Sequence, residues 1–211
     1  KTGFPVKLYR IIALKTFESP AGIVREGEIG GFIQSEKNLS QDDSSWIAQM
    51  ARVFDNGELK DSYVTNDAII CENVKVENST ISGKVRVYGN AKILNSILTE
   101  NVDVYDQAIV SNSKMKNGTV ACGKSQLNNS EMRDGSRISQ NAKVIDSKLF
   151  EQSEVKGDGI IENCHLSGRT VWSKGTLRNE SRNETIELSV QTNASWVKLK
   201  NLGYSLLYFG S

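Results

Sequence analysis

The chain holds a single histidine among 211 residues, His165, and that residue sets the first chemical question. Imidazole is the commonest general base, but it needs a pocket around it and a second group to orient it. His165 has neither in its neighbourhood of sequence. A 17-residue spacing runs unbroken from Ile47 to Leu166, leaving no extruded loop beside it. It stands on an outward slot in register with Trp46, Tyr63, Thr80, Ile97, Lys114, Glu131 and Lys148. His165 is therefore expected on the surface of a late repeat, a weak catalytic candidate.

The three cysteines invite a second kind of chemistry. Cys71 and Cys122 both fall on outward slots, 51 residues or three repeats apart. At strand spacing that is about 14 Å, too far for a disulfide. Cys164 is expected to point inward. With no pair to form, the cysteines fit a reducing compartment. No histidine or acidic cluster accompanies any of them, so neither a metal site nor a nucleophile is expected.

One outward line carries more. Phe54, Cys71, Tyr88, Tyr105 and Cys122 recur at every 17th position over five consecutive repeats. Such a stripe either shields a backbone ladder by aromatic stacking or offers a contact face to a partner or second subunit.

What positions these residues is the repeat itself. Three columns define it. The first runs Ile47, Val64, Ile81, Leu98, Met115, Met132, Leu149, Leu166, and the second runs Val53, Ile70, Val87, Val104, Ala121, Ile138, Val155, Trp172. The third runs Leu59, Val76, Ile93, Val110, Leu127, Val144, Ile161 and then meets Arg178. That is 23 apolar residues in 24 slots, where a 38% hydrophobic composition supplies about nine by chance. Smaller residues precede two of the columns by two positions: Ala51, Ala68 and Val85 in one case, Ser45, Ser62 and Ser79 in the other. Inward residues at i−2 and i mark a strand. Columns spaced 6, 6 and 5 residues apart give three short strands per period, hence a triangular parallel β-helix of about eight 17-residue coils. Where Ala121 thins the second column, Met115 and Met132 of the first are expected to fill the gap. Trp172 is expected to plug the far end, where the third column fails.

Corners need backbone at positive φ, and the dipeptides at 83–84, 89–90, 117–118, 134–135 and 157–158 are drawn from Gly, Asn, Asp and Lys. The corner of the five-residue face holds Asp61, Asn78, Asn95, Asn112, Asn129, Asp146 and Asn163. Stacked at roughly 4.8 Å, the Asn members (Asn78, Asn95, Asn112, Asn129, Asn163) are expected to form an amide ladder. Ladders and small inward residues would replace a large aromatic core, consistent with only 7% aromatic content.

The bulk composition excludes several classes. Net charge is +1 and the basic residues are dispersed, so no nucleic-acid footprint is present. No stretch approaches about 18 apolar residues, so no membrane span is expected. No secretory signal is visible. A cytoplasmic setting follows as the expectation.

Three regions are expected: cap strands and a lead-in segment at 1–44, the β-helix at 45–178, and a β cap or oligomerisation tail at 179–211. A β-helix exposes strand edges at both ends, and caps cover them. The apolar tail around Leu206, Leu207, Tyr208 and Phe209 also suits self-association.

The lead-in "GEIGGFIQSEKNLSQDDSSWIAQMARVF" (27–54), preceded by "LYRIIAL", resembles the corresponding segment of YdcK-like proteins of bacterial and prophage origin. The matching residues are Gly30, Gly31, Phe32, Glu36, Asn38, Leu39, Ser40 and Trp46. The resemblance covers roughly residues 8–172. It implies a single-stranded left-handed β-helix of the hexapeptide-repeat kind, an exception to the usual right-handed crossover. It also implies a loosely attached acyltransferase label, whose general base would be a His beside a loop and whose acyl-CoA would lie between subunits of a trimer. His165 is the one residue that could serve. The γ-type carbonic anhydrases share the architecture but need three His ligands for zinc. The reading favoured by the residues is a non-catalytic binding or assembly module without cofactor. It would associate with a protein partner or with itself, as dimer or trimer, through an outer face or the tail. An acyl-CoA-dependent acyltransferase is the first alternative. An accessory domain of a larger effector or surface protein is the second.

Overall fold

The computed structural model describes residues 6–184 and 187–188. All three columns are inside: their members from Ile47 to Leu166 are at most 3% exposed. Each strand pairs in parallel with the strand 17 residues on, so Ile81 lies over Leu98 and Val87 over Val104. The first face carries nine strands, from Trp46–Ile47 to Ser181–Glu184, and the other two faces join into one sheet of 17 strands. This is the all-β parallel solenoid that the columns require, with about nine turns rather than eight.

The far end departs from expectation. Trp172 pairs with Val155 and is 7% exposed, but it does not close the core. Beyond it Leu177 takes the third-column slot opposite Ile161, and Leu188 pairs with Trp172. The chain drops one residue at the corner after Trp172, so the step from Ile161 is 16 residues, and Arg178 moves outward. The indole Nε1 closes that shortened corner by donating to the Gly175 carbonyl at 3.0 Å. Arg182 takes the slot above Leu166, its guanidinium 5.6 Å from the Trp172 ring. Residues 185–186 and 189–211, which hold the Leu206–Phe209 run, lie outside the described residues.

The near end is built differently. Strand β1 (Tyr9–Ile12) runs antiparallel to β4 (Ile29–Ile33), and β4 opens the second face by pairing with Arg52–Val53. Between them β2 (Phe17–Ser19) and β3 (Gly22–Val24) form a hairpin over Trp46, with Phe17 edge-on to the indole at 5.9 Å. The lead-in motif has a packing reason. A Cβ on Gly30 would sit 2.5 Å from the Ile47 carbonyl, and one on Gly31 would sit 2.6 Å from that of Ala51. Only Gly lets β4 lie this close to the first coil. Asn38 is fully buried: it accepts from the amides of Gln34 and Ser35 and donates to the carbonyls of Asp55 and Gly57.

Candidate functional site

The corner column is Asn and Asp because of its backbone. Asp61, Asn78, Asn95, Asn112, Asn129, Asp146 and Asn163 all hold φ between 46° and 50°, a left-handed region that Asn and Asp tolerate better than other side chains. Among the described residues their side chains bond along the axis at four steps: Ser44 to Asp61, Asn95 to Asn112, Asn129 to Asp146 and Asn163 to Asn179. The amide ladder expected there is discontinuous. The unbroken one is serine, inside the wall. Each of Ser62, Ser79, Ser96, Ser113, Ser130 and Ser147 donates its hydroxyl to the carbonyl two residues before it. The same oxygen accepts the amide one coil above, from Ser79 N on Ser62 up to Cys164 N on Ser147. Cys164 points inward and closes the series. A second amide ladder, Asn56 to Asn73 to Asn90 at 2.9 Å per step, lies on another corner. Its three Asn at 17-residue spacing were the signal that sequence reasoning passed over.

The outward stripe is in register but not evenly open. Phe54, Cys71, Tyr88 and Tyr105 are half-buried. The Tyr88 and Tyr105 rings stack 5.0 Å apart and 3° from parallel. Cys122 is not an outward residue in effect: it is 6% exposed, because Arg137 from the next coil folds across it. The Arg137 guanidinium approaches Cys122 Sγ at 3.5 Å and Tyr105 Oη at 3.3 Å. The Cys122 thiol bonded to the phenol, with burial added, pushes the Tyr105 hydroxyl above the usual tyrosine range. Beside this stripe Arg86 makes a bidentate pair with Asp103, at 2.7 and 2.6 Å. None of the three cysteines forms a disulfide.

His165 is exposed, on the first face between Lys148 and Ser181. Its ring meets Phe150 edge-on at 4.9 Å. Among the described residues the imidazole has no hydrogen-bond or ion-pair partner. It lines an open recess of about 440 Å³ with Asp146, Lys148, Asn163 and Glu180. Phe150 in turn lies under the Arg133 guanidinium at 3.6 Å. The arrangement gives the imidazole a packed edge and solvent, with no group among the described residues to hold a tautomer.

The described residues contain no group of three or more His, Cys, Asp or Glu placed to hold a metal, and no helix among them is long and apolar enough to cross a membrane. A concavity of about 950 Å³ lies at the near end, between the cap strands and the loop at 40–45. There burial pushes the Asp43 carboxyl up, but hydrogen bonds from Ser45, the Asp61 amide and Ser40 outweigh it and leave it below the usual carboxylate value.

Comparison with known protein families finds a match within the coils. Residues 48–121 match the family described as GlmU-like, C-terminal hexapeptide. A search of curated proteins finds none that matches the chain. The matched stretch, about a third of the chain, falls on consecutive 17-residue coils whose three faces the structure displays. The chain is thus a parallel β-helix whose coils at 48–121 are of the hexapeptide-repeat type.

Proposed function

We propose that this chain is a non-catalytic binding or assembly module, a rigid rod that presents its outer surface to a protein partner or to further copies of itself. The observation that carries the reading is the state of His165: exposed, unpartnered among the described residues and set on a coil without an extruded loop. A general base needs an orienting partner and a wall that excludes water. The resemblance of the lead-in segment to YdcK-like proteins supports a bacterial or prophage origin, and three cysteines without a disulfide fit a reducing, cytoplasmic setting. The half-buried stack of Tyr88 and Tyr105, extended by Phe54 and Cys71, is the outer face offered to a protein partner.

An acyl-CoA-dependent acyltransferase is the second reading. The hexapeptide match and the recess shared by His165, Asp146 and Glu180 favour it. Calorimetry with acetyl-CoA separates the two. We expect no heat of binding at sub-millimolar concentration, from the native chain or from His165→Asn. Micromolar binding with turnover that His165→Asn abolishes would overturn the assembly reading. The missing walls would then have to come from a neighbouring subunit, as in a trimer.

A further inference from the structure

Large apolar side chains are kept off the surface of the coils, but not off the near end. Of the eight exposed ones among the described residues, six (Val6, Tyr9, Ile12, Leu14, Ile23 and Ile29) belong to the cap, with Leu14 85% and Ile23 67% exposed. Ile12 and Ile29 are register partners across β1 and β4. Ile12 and Leu14 also line the 950 Å³ groove, whose floor includes Ile33, Leu39 and Trp46 from the end of the apolar core. Together the six leave roughly 700 Å² of apolar surface open, close to the ~800 Å² per partner that a standard interface removes from water. Strand β1 pairs with β4 along one edge; its other edge has no strand among the described residues. An unpaired edge beside an apolar groove is the template for strand addition.

Charge narrows the occupant. The groove carries Glu18, Glu36, Asp42 and Asp43 against a single cation, Lys15. Within this chain one stretch outside the described residues fits: 195–209, "SWVKLKNLGYSLLYF", rich in apolar residues, with Lys198 and Lys200 and no acidic residue. Its "WVKLK" alternates apolar and basic, so as a strand it would turn Val197 and Leu199 to one side and both lysines to the other.

Distance decides whose stretch it is. The second face stacks ten strands from Ile33 to Leu188, so the two ends lie about 43 Å apart at strand spacing. Six residues separate Leu188 from Ser195, and even Leu199, eleven steps on, has a reach of only about 38 Å when fully extended. Trp196–Leu199 therefore cannot lie on the cap of their own chain.

We propose that residues 195–209 of a second copy dock on the cap groove and along the free edge of β1, joining copies head to tail. The proposal rests on the assembly reading above and names the surfaces it uses. Such an interface is heterologous, and between straight rods it continues as a filament rather than closing on itself.

Sedimentation velocity on the full chain tests it. We expect an open series of sizes that lengthens with concentration. Leu14→Lys with Ile23→Lys blocks the cap, and Val197→Asp with Leu199→Asp sets an acidic stretch against the acidic groove. Each double variant alone should weaken association at least tenfold and sediment as a monomer. An unchanged circular-dichroism spectrum and thermal midpoint would show that the fold is kept. Mixed in equal amounts, the two variants should form a one-to-one dimer and nothing larger, since each retains one working end. A native chain that stays monomeric to millimolar concentration would overturn the proposal. So would variants that fail to combine, and so would a tail variant that still dimerises, which would mean cap on cap. Association lost on Tyr105→Ala alone would also overturn it while sparing the assembly reading. Acetyl-CoA turnover would remove that reading without bearing on sedimentation.

Discussion

The cap and the coils solve the same problem, covering an apolar interior with very short strands, by opposite means. In the coils every inward position recurs, so each side chain is held by its own kind one turn above and below. The wall serines show the consequence: one hydroxyl serves two coils, six times over. The cap has no such neighbours. Its geometry rests on residues that occur once, Gly30, Gly31 and Asn38, and its apolar surface remains largely open. Repetition distributes the load, whereas the boundary concentrates it.

The largest effect expected from this contrast lies in the coils. Val104 is fully buried between Val87 and Ala121. Val104→Asp puts an unpaired charge into a stack with no room to relax, and should cost several kcal/mol, about 3–5. Lys92→Asp, on an exposed outward slot, should cost no more than about 0.5 kcal/mol. Urea unfolding of both variants checks this; equal sensitivity would refute the assignment of faces.

A next, smaller difference compares one keystone with one rung. Asn38→Ala removes bonds to the Ser35 amide and the Asp55 and Gly57 carbonyls, leaves the Gln34 amide to the Val53 carbonyl alone, and should cost about 3 kcal/mol. Ser113→Ala strands the Ser130 amide and should cost about 1–2 kcal/mol, with the rest of the ladder intact. If the serine proves the costlier of the two in the same unfolding experiment, repetition does not share the load as argued.

The smallest effect is electrostatic. Asp43 is held below its ordinary pKa by Ser45, Asp61 and Ser40 against the push of burial. A depressed carboxylate contributes stability above its unfolded value, about 3.9, and loses it as pH falls through the folded value. Half-exposed as the residue is, the contribution should stay well under about 1 kcal/mol. Asp43→Asn should therefore flatten the fall in unfolding midpoint between pH 5 and pH 3. An unaltered slope would show that the loop at 40–45 adds nothing to acid sensitivity.

The 17-residue period, the three inward columns and the outward place of His165 were legible in the sequence, because a parallel coil stacks like on like and so writes its geometry as a repeat. The corner Asn column was legible too, but its cause lay in φ near 48° more than in side-chain bonding. What the tertiary structure alone decided lies where the repeat is broken or where long side chains cross between coils. Cys122 looks exposed by register, yet Arg137 covers it from 15 residues away. By 17-residue register the third column stops at Arg178, yet one omitted residue at a corner returns Leu177 to the core, and the Trp172 indole secures that corner. Asn38 reads as one polar residue among several until its four backbone partners from two turns surround it. Periodicity carries information about neighbours that are alike; a contact made once, between unlike residues, leaves no period to read.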